Sequence, residues 1–450
     1  MTALPMAAAR LARAARTAAL ALAVLAVSTV AAEAAKIERV VSPGGIVAWL
    51  IEDHTNPIIA VQISLAAGAV YDPRGKEGLS ELTAALLDEG AGDLDSQTFQ
   101  GRLQDASISL GFDAAMDRFS GGLKMLTRHR DEAFDLLRLA LTAPRFDADA
   151  IERMRAETLT RLSREAESPQ RIAGETWWHQ SFPHHPYGRP SQGTVDSVKA
   201  IARADLQDFV KQRLTRDSLI VGVVGDITAQ DLAPLLDKTF GALPAKAAPH
   251  AVSDVVPESR GDIRVVRREN PQSAVIFGQR GIKRNDPDFY AALVMNYILG
   301  GGTFNSRLYA EVREKRGLAY SIGTYLSPLE HTGLILGSVG TRNSQVKQTI
   351  DLIRAEWKRM AAGDIGQAEL DDAKTYLAGS FALQFRNSDA IAQLLVAIQA
   401  ESLGIDYIER RNKLIAAVTL DDVKRVAKKL LDPAGLSFVV VGEPEGLPGG

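Results

Sequence analysis

Two stretches of this 450-residue chain repeat one plan at nearly the same offset, which constrains the fold more than any single motif does. Near the start, VQISLAAGAVYDPRGKEGLSELTAALL reads as an alternating apolar run, a turn and a helical pattern. Near the middle, AVIFGQRGIKRNDPDFYAALVMNYIL repeats that order. Asp72-Pro73 and Asp286-Pro287 lie 214 residues apart. Gly225 and Gly442, each closing a β-branched run that follows a basic amphipathic helix, lie 217 apart. The agreement of independent offsets predicts a tandem duplication. The competing reading is that any α+β chain supplies such helix–strand pairs.

The duplication predicts an α+β fold of two similar domains, each a mostly antiparallel sheet with long helices packed on one face. The expected boundaries are 36–245 for the first domain, 246–257 for a linker, 258–444 for the second domain and 445–450 for a tail. The linker is read from AKAAPHAVSDVVP, which is short of bulky apolar side chains. Helices are expected at 77–89, 96–106, 117–138, 147–166, 170–181, 203–214 and 229–240. The second half is expected to carry them at 286–299, 304–315, 345–361, 366–385, 387–402, 405–416 and 419–431. Residues 78–90 and 300–320 are read as corresponding pieces of the two halves.

The first 35 residues read as a signal peptide, with Arg10, Arg13 and Arg16 ahead of an apolar run at 17–30 and small residues leading to cleavage after Ala34 or Ala35. That run is shorter than the ~20 residues a membrane span requires, so no stable membrane insertion is expected after cleavage; an uncleaved anchor is the competing reading. The chain has no cysteine, which suits export to an oxidising periplasm and excludes a disulfide. A formal charge of -3 argues against nucleic-acid binding, which needs dense Lys and Arg on one face.

The seven histidines form no HxxEH, HExxH or HxH pattern. His184 and His185 are adjacent, and adjacent side chains on a regular element diverge; HHPYG is read as a proline-restricted loop with stacked rings. No GxSxG elbow, GxGxxG fingerprint or GK[ST] is present. Arg313 and Tyr320 remain. Gly317 is expected to end a helix between them, leaving Tyr320 on the strand AYSIGTYL and both side chains at one helix-to-strand corner. Guanidinium and phenol donors suit a peptide carbonyl or an oxyanion. The alternative is a surface arginine in the run EVREKR and a tyrosine filling the sheet face.

These motifs resemble the pitrilysin-like M16 metallopeptidases, especially their short two-domain bacterial members and the subunits of the mitochondrial processing peptidase. SRLYAEVREKRGLAYSIG is similar to the family's second-domain signature, SLAAGAVYDPRGKEGLSELTAALLDEGAG to its first-domain signature, and HPYGRPSQGTVDSVKAI to its HPYG segment. The resemblance implies a clamshell of two domains. It also exposes a departure: the places of the family's HxxEH zinc motif fall on Glu81, Ala84 and Ala85, and the third ligand, a glutamate, falls at 159–162, where no carboxylate stands. No zinc is therefore expected in this chain.

Arg313 and Tyr320 match the pair that the family's second domain directs at substrate. The resemblance thus implies a noncatalytic periplasmic subunit, inactive alone, paired as a heterodimer with an M16 subunit that carries the zinc. An extended peptide is the expected substrate, and the edge strand near 108–112 is expected to look onto the cavity. Residues 300–302 resemble, in shortened form, the flexible glycine-rich loop of the noncatalytic mitochondrial subunit. The rival reading is a peptide-binding or scaffold protein of the cell envelope, with no catalytic role.

Overall fold

The computed structural model describes residues 36–258 and 260–447. The expected signal peptide, 1–35, lies outside the described residues, as do the last three residues of the expected tail. Among the described residues, those from Arg39 on form one compact unit.

The first half builds a six-stranded sheet from β1 (Glu38–Val41), β2 (Val47–Glu52), β3 (Ile58–Leu65), β4 (Ser109–Ala114), β5 (Phe119–Leu126) and β6 (Ile220–Gly225), in the order β1-β2-β6-β3-β5-β4. The second half builds a five-stranded sheet from β7 (Ile263–Arg267), β8 (Gln272–Arg280), β9 (Ala319–Pro328), β10 (Gly333–Arg342) and β11 (Ser437–Gly442), in the order β7-β11-β8-β10-β9. Apart from β1 the two orders are the same. Each sheet has one parallel pair, β2 with β6 and β7 with β11, and is otherwise antiparallel from that pair to its β4 or β9 edge.

Gly225 and Gly442 close corresponding strands at φ +136° and +152°, a region L side chains rarely adopt. A Cβ on Gly225 would lie 2.1 Å from the Ile58 carbonyl oxygen. The repeat therefore preserves backbone geometry as well as composition. Two similar sheet-and-helix domains thus stand in a clamshell-like arrangement.

The first-half helices are α1 (Leu79–Ala84), α2 (Ser96–Asp105), α3 (Arg130–Thr142), α4 (Ala148–Glu165), α5 (Pro169–Ser181), α6 (Val195–Ala200), α7 (Arg203–Arg213) and α8 (Ala229–Phe240). The second half has α9 (Phe289–Asn296), α10 (Val346–Ala361), α11 (Gln367–Gly379), α12 (Ser388–Ala400), α13 (Tyr407–Ala416) and α14 (Leu420–Leu430).

Two expectations are corrected. The segment 117–138 is no single helix: its first part is β5, where Phe119, Gly121, Leu123 and Met125 alternate inward, and after a 3-10 turn at Thr127–His129 the α-helix begins at Arg130. Residues 78–90 and 300–320 are not counterparts. α1 follows β3 through Asp72-Pro73 as α9 follows β8 through Asp286-Pro287, so α9 is the partner of α1. Residues 304–320, which lead into β9, correspond instead to α2 and the approach to β4.

To the helices on one face the structure adds an exchange. α5 of the first half packs on β8 and β11 of the second sheet, and α12 of the second half packs on β3 and β6 of the first. Glycines admit both helices. A Cβ on Gly278 would meet the Trp177 ring at 2.7 Å, and one on Gly222 the Ala392 carbonyl oxygen at 2.7 Å. Trp177 is 1% exposed and belongs to an apolar cluster shared by both halves, with Phe182, Tyr187, Leu334, Leu336 and Val439. Burial of this kind removes apolar surface at about 25 cal/mol per Å², so the exchange makes each half complete the other's core.

The HPYG loop pins the same junction. The Tyr187 hydroxyl donates to Asp117 Oδ1 at 2.6 Å and accepts from the His331 backbone N–H at 3.1 Å. The His185 ring meets Tyr187 edge-on at 4.6 Å. Arg118 pairs with Glu330 at 2.7 Å and Lys124 with Asp389 at 2.7 Å, both across the halves. No helix among the described residues is long and apolar enough to cross a membrane.

Candidate functional site

α1 holds the three places at which a metal motif was expected. It starts at Gly78, and the carboxylate of Asp72 organises that start: it accepts from the Gly78 N–H at 2.9 Å, the Ser80 N–H at 3.0 Å and the Ser80 hydroxyl at 3.2 Å. Asp72 is 2% exposed, and burial pushes its carboxyl up to about 7 against those hydrogen bonds. The helix is shorter than the expected 77–89, with Ala85 as its C-cap. Glu81, Ala84 and Ala85 are spaced i, i+3 and i+4 and share one face.

Across that face stands α4, and here the structure supplies a residue that sequence reasoning passed over. The Arg161 guanidinium donates to Glu81 Oε1 at 2.9 Å and lies 3.9 Å from Glu165. Arg161 belongs to the segment 159–162, on which the place of the family's third ligand falls. Burial raises the Glu81 carboxyl above its ordinary value; Arg161 opposes the rise, and Asp113 on β4 adds to it. Glu165 is held in turn by Arg171, which also reaches Glu175 at 2.6 Å.

A guanidinium therefore neutralises Glu81 where a metal would have to bind, and Ala84 and Ala85 offer no donor atom. These residues do not fit a zinc ion. Among the described residues, no group of three or more His, Asp or Glu side chains stands close enough to hold a metal.

Arg313 and Tyr320 are brought together. Arg313 lies in a π-helical turn, Ala310–Glu314, that continues the short helical turn Arg307–Tyr309. The turn closes where the Gly317 N–H donates to the Arg313 carbonyl at 2.8 Å, with Gly317 at φ +62°. Tyr320 follows at the start of β9, in a bulge: Ile322 pairs with Val339 and Ala319 with Thr341, so Tyr320 and Ser321 together oppose Gly340 alone. A bulge re-aims side chains, and π-turns recur at functional sites.

The Arg313 guanidinium carbon lies 5.2 Å from the Tyr320 ring centre, 4.8 Å from that of Tyr309 and 5.9 Å from that of Phe304. Tyr320 is 85% exposed and Phe304 67%. Among the described residues Arg313 makes no ion pair, and its side chain makes no hydrogen bond. Three aromatic faces therefore hold a cation whose donors remain unspent. Tyr309 stands one helical turn before Arg313, a spacing legible in the sequence; Phe304 carries no such signal.

The approach to this cage is stiffly built. Arg307 grips the Glu369 carboxylate through Nε and Nη2, both at 2.6 Å, tying the turn to α11. Residues 300–302 serve packing here: a Cβ on Gly300 would fall 2.5 Å from Thr324 Oγ1, and one on Gly302 2.9 Å from the Tyr297 carbonyl oxygen. Thr303, beside Phe304, holds a left-handed φ of +44°, costly for a β-branched residue.

Comparison with known proteins follows the same lines. Residues 200–377 match the family described as Peptidase M16 inactive domain. The non-peptidase homolog YmxG of Helicobacter pylori is 26% identical over 395 residues, 87% of this chain and 90% of that one. An uncharacterized zinc protease of Streptomyces coelicolor is 30% identical over 309 residues, 66% of each chain. The crystal structure of a peptidase M16 inactive domain from Pseudomonas fluorescens superposes with a TM-score of 0.86 at 26% identity, covering 92% of this chain and 99% of that one. The chain is an M16 peptidase family homologue of the noncatalytic, inactive-domain type.

Proposed function

We propose that this chain is the noncatalytic subunit of a heterodimeric periplasmic M16 zinc peptidase, and that it supplies Arg313 and Tyr320 to an extended peptide. The observation that carries the reading is the cage itself: a guanidinium held over an exposed tyrosine with its donors unspent. A residue kept only for solubility has no need of three aromatic walls. The Glu81–Arg161 pair supports the other half of the reading, because it removes the possibility of a private metal. Zinc, and the attacking water it activates, are left to the partner subunit.

This chain's residues then have defined tasks. Arg313 donates to the carbonyl oxygen of the scissile bond, and its donation strengthens as negative charge develops there. The Tyr320 hydroxyl donates beside it. The aromatic walls fix the guanidinium before the peptide arrives, so little reorganisation accompanies the reaction. The lack of cysteine and the basic-then-apolar first 35 residues support the periplasmic setting.

The test pairs the protein with an exported M16 protein bearing an intact HxxEH and measures oligopeptide hydrolysis. Losing one oxyanion donor costs ~100-fold or more in kcat, so Arg313→Ala is expected to lower turnover by about that factor while leaving the 1:1 complex assembled. Tyr320→Phe is expected to lower it less. Assembly with unchanged turnover in both variants contradicts the reading and favours a scaffold role.

A further inference from the structure

A second site lies at the junction of the halves, on the helix the first half lends to the second. α5 and the loop after HPYG enclose a cavity of about 550 Å³ that β7 closes from the other half. That volume falls within the ~300–1,000 Å³ of small-molecule pockets, which favour domain junctions. Trp178 and Met116 give it an apolar wall, and Gly174 gives it a bare floor. A Cβ on Gly174 would meet nothing within 4 Å, so any side chain there projects into the open cavity.

The polar wall is cationic. Arg171, Arg189 and Arg264 line it against the single carboxylate of Glu175. Two of the three are built in. Arg171 spends Nε on Glu175 and Nη1 on Glu165 and Gln192. Arg189 donates to the Asp72 carbonyl at 2.7 Å and the Val70 carbonyl at 3.2 Å. Arg264, exposed on β7, makes no ion pair among the described residues, and Arg171 Nη2 has no partner there.

We propose that this cavity binds a small organic anion with an aromatic or branched apolar body. The body lies against Trp178 and Met116 over Gly174, and the anionic head meets Arg264 and Arg171 Nη2. Because Arg264 comes from one half and the other walls from the other, the ligand bridges the junction and stabilises it. A planar guanidinium recognises carboxylate and phosphate alike, so the head group is left to the test.

Trp178 lines the cavity, so tryptophan fluorescence of the purified protein reads occupancy. N-acetylphenylalanine and phenyl phosphate are titrated as anionic probes, with N-acetylphenylalaninamide as the neutral control. Probes of this size are expected to bind with a dissociation constant of about 1 mM, and the neutral amide at least ~10-fold more weakly, the factor set by one charged contact. Arg264→Glu, on an exposed edge, and Gly174→Leu, which fills the floor, are each expected to weaken binding by a similar factor with the circular-dichroism spectrum unchanged. Whichever anion binds more tightly names the head group. Absence of saturable binding by either anion, equal binding of the amide, or binding indifferent to Arg264→Glu overturns the proposal.

Discussion

Replacing Arg161 by leucine isolates the interaction that stands where a metal would be. The Glu81 side chain is 23% exposed and that of Arg161 33%, with N and O 2.9 Å apart. The pair lies between two regimes: exposed pairs contribute ~0–1 kcal/mol, whereas breaking a fully buried one costs ~3–5 kcal/mol. Arg161→Leu is therefore expected to destabilise the protein by about 1–2 kcal/mol at pH 7, read from urea unfolding.

The loss has a defined pH dependence. Burial already raises the Glu81 carboxyl, and removing Arg161 removes the main opposition to that rise. A carboxyl raised in the folded state contributes stability that is present below its unfolded value and lost as pH rises through the folded value. The deficit of Arg161→Leu should therefore shrink on acidification toward pH 4.5 and grow toward neutrality. Glu81→Leu combined with Arg161→Leu is expected to recover most of the loss, since an apolar pair of similar volume leaves no carboxylate stranded. A single variant as stable as the original, or a double variant no better than Arg161→Leu, refutes the reasoning.

Three further outcomes follow from the fold. Gly222→Val brings a side chain against the Ala392 backbone at 2.7 Å, where no rotamer relieves it, and is expected to cost ~2–3 kcal/mol in urea unfolding through displacement of α12. Asp288, held down to about 2 by Arg425 and Lys429, each at 2.8 Å, contributes stability present above its unfolded value and lost as pH falls toward 2. The difference in melting temperature between the original and Asp288→Asn should therefore close between pH 5 and pH 2. Arg307→Gln, which breaks the paired grip on Glu369, is expected to loosen the 304–314 turn, read as faster hydrogen exchange there with α5 unchanged.

Much of the architecture was legible because it rests on local chemistry repeated twice. Asp72-Pro73 and Asp286-Pro287 each turn the chain from strand to helix, and Gly225 and Gly442 each hold a left-handed φ. The strand at Phe119 was hidden because Phe119 and Leu123 stand four apart, a spacing that also fits a helix leading into α3.

The helix exchange was not legible. An amphipathic pattern says that α5 and α12 each bury a face, but not which sheet receives it. The Arg313–Tyr320 corner could be anticipated from Gly317 and the strand after it. Its Phe304 wall could not, because Phe304 precedes the helical turn and is placed by the strained Thr303. Arg161 is 80 positions from Glu81 and becomes a partner only once α4 crosses α1.

The most direct measurement of the central claim is zinc content and chelator-sensitive peptide cleavage, taken on the isolated chain and on its mixture with an HxxEH-bearing M16 protein. The account predicts substoichiometric zinc and no cleavage from the isolated chain. It predicts a 1:1 complex with one zinc and chelator-sensitive hydrolysis from the mixture, weakened by Arg313→Ala. Stoichiometric zinc with chelator-sensitive cleavage by the isolated chain would contradict it.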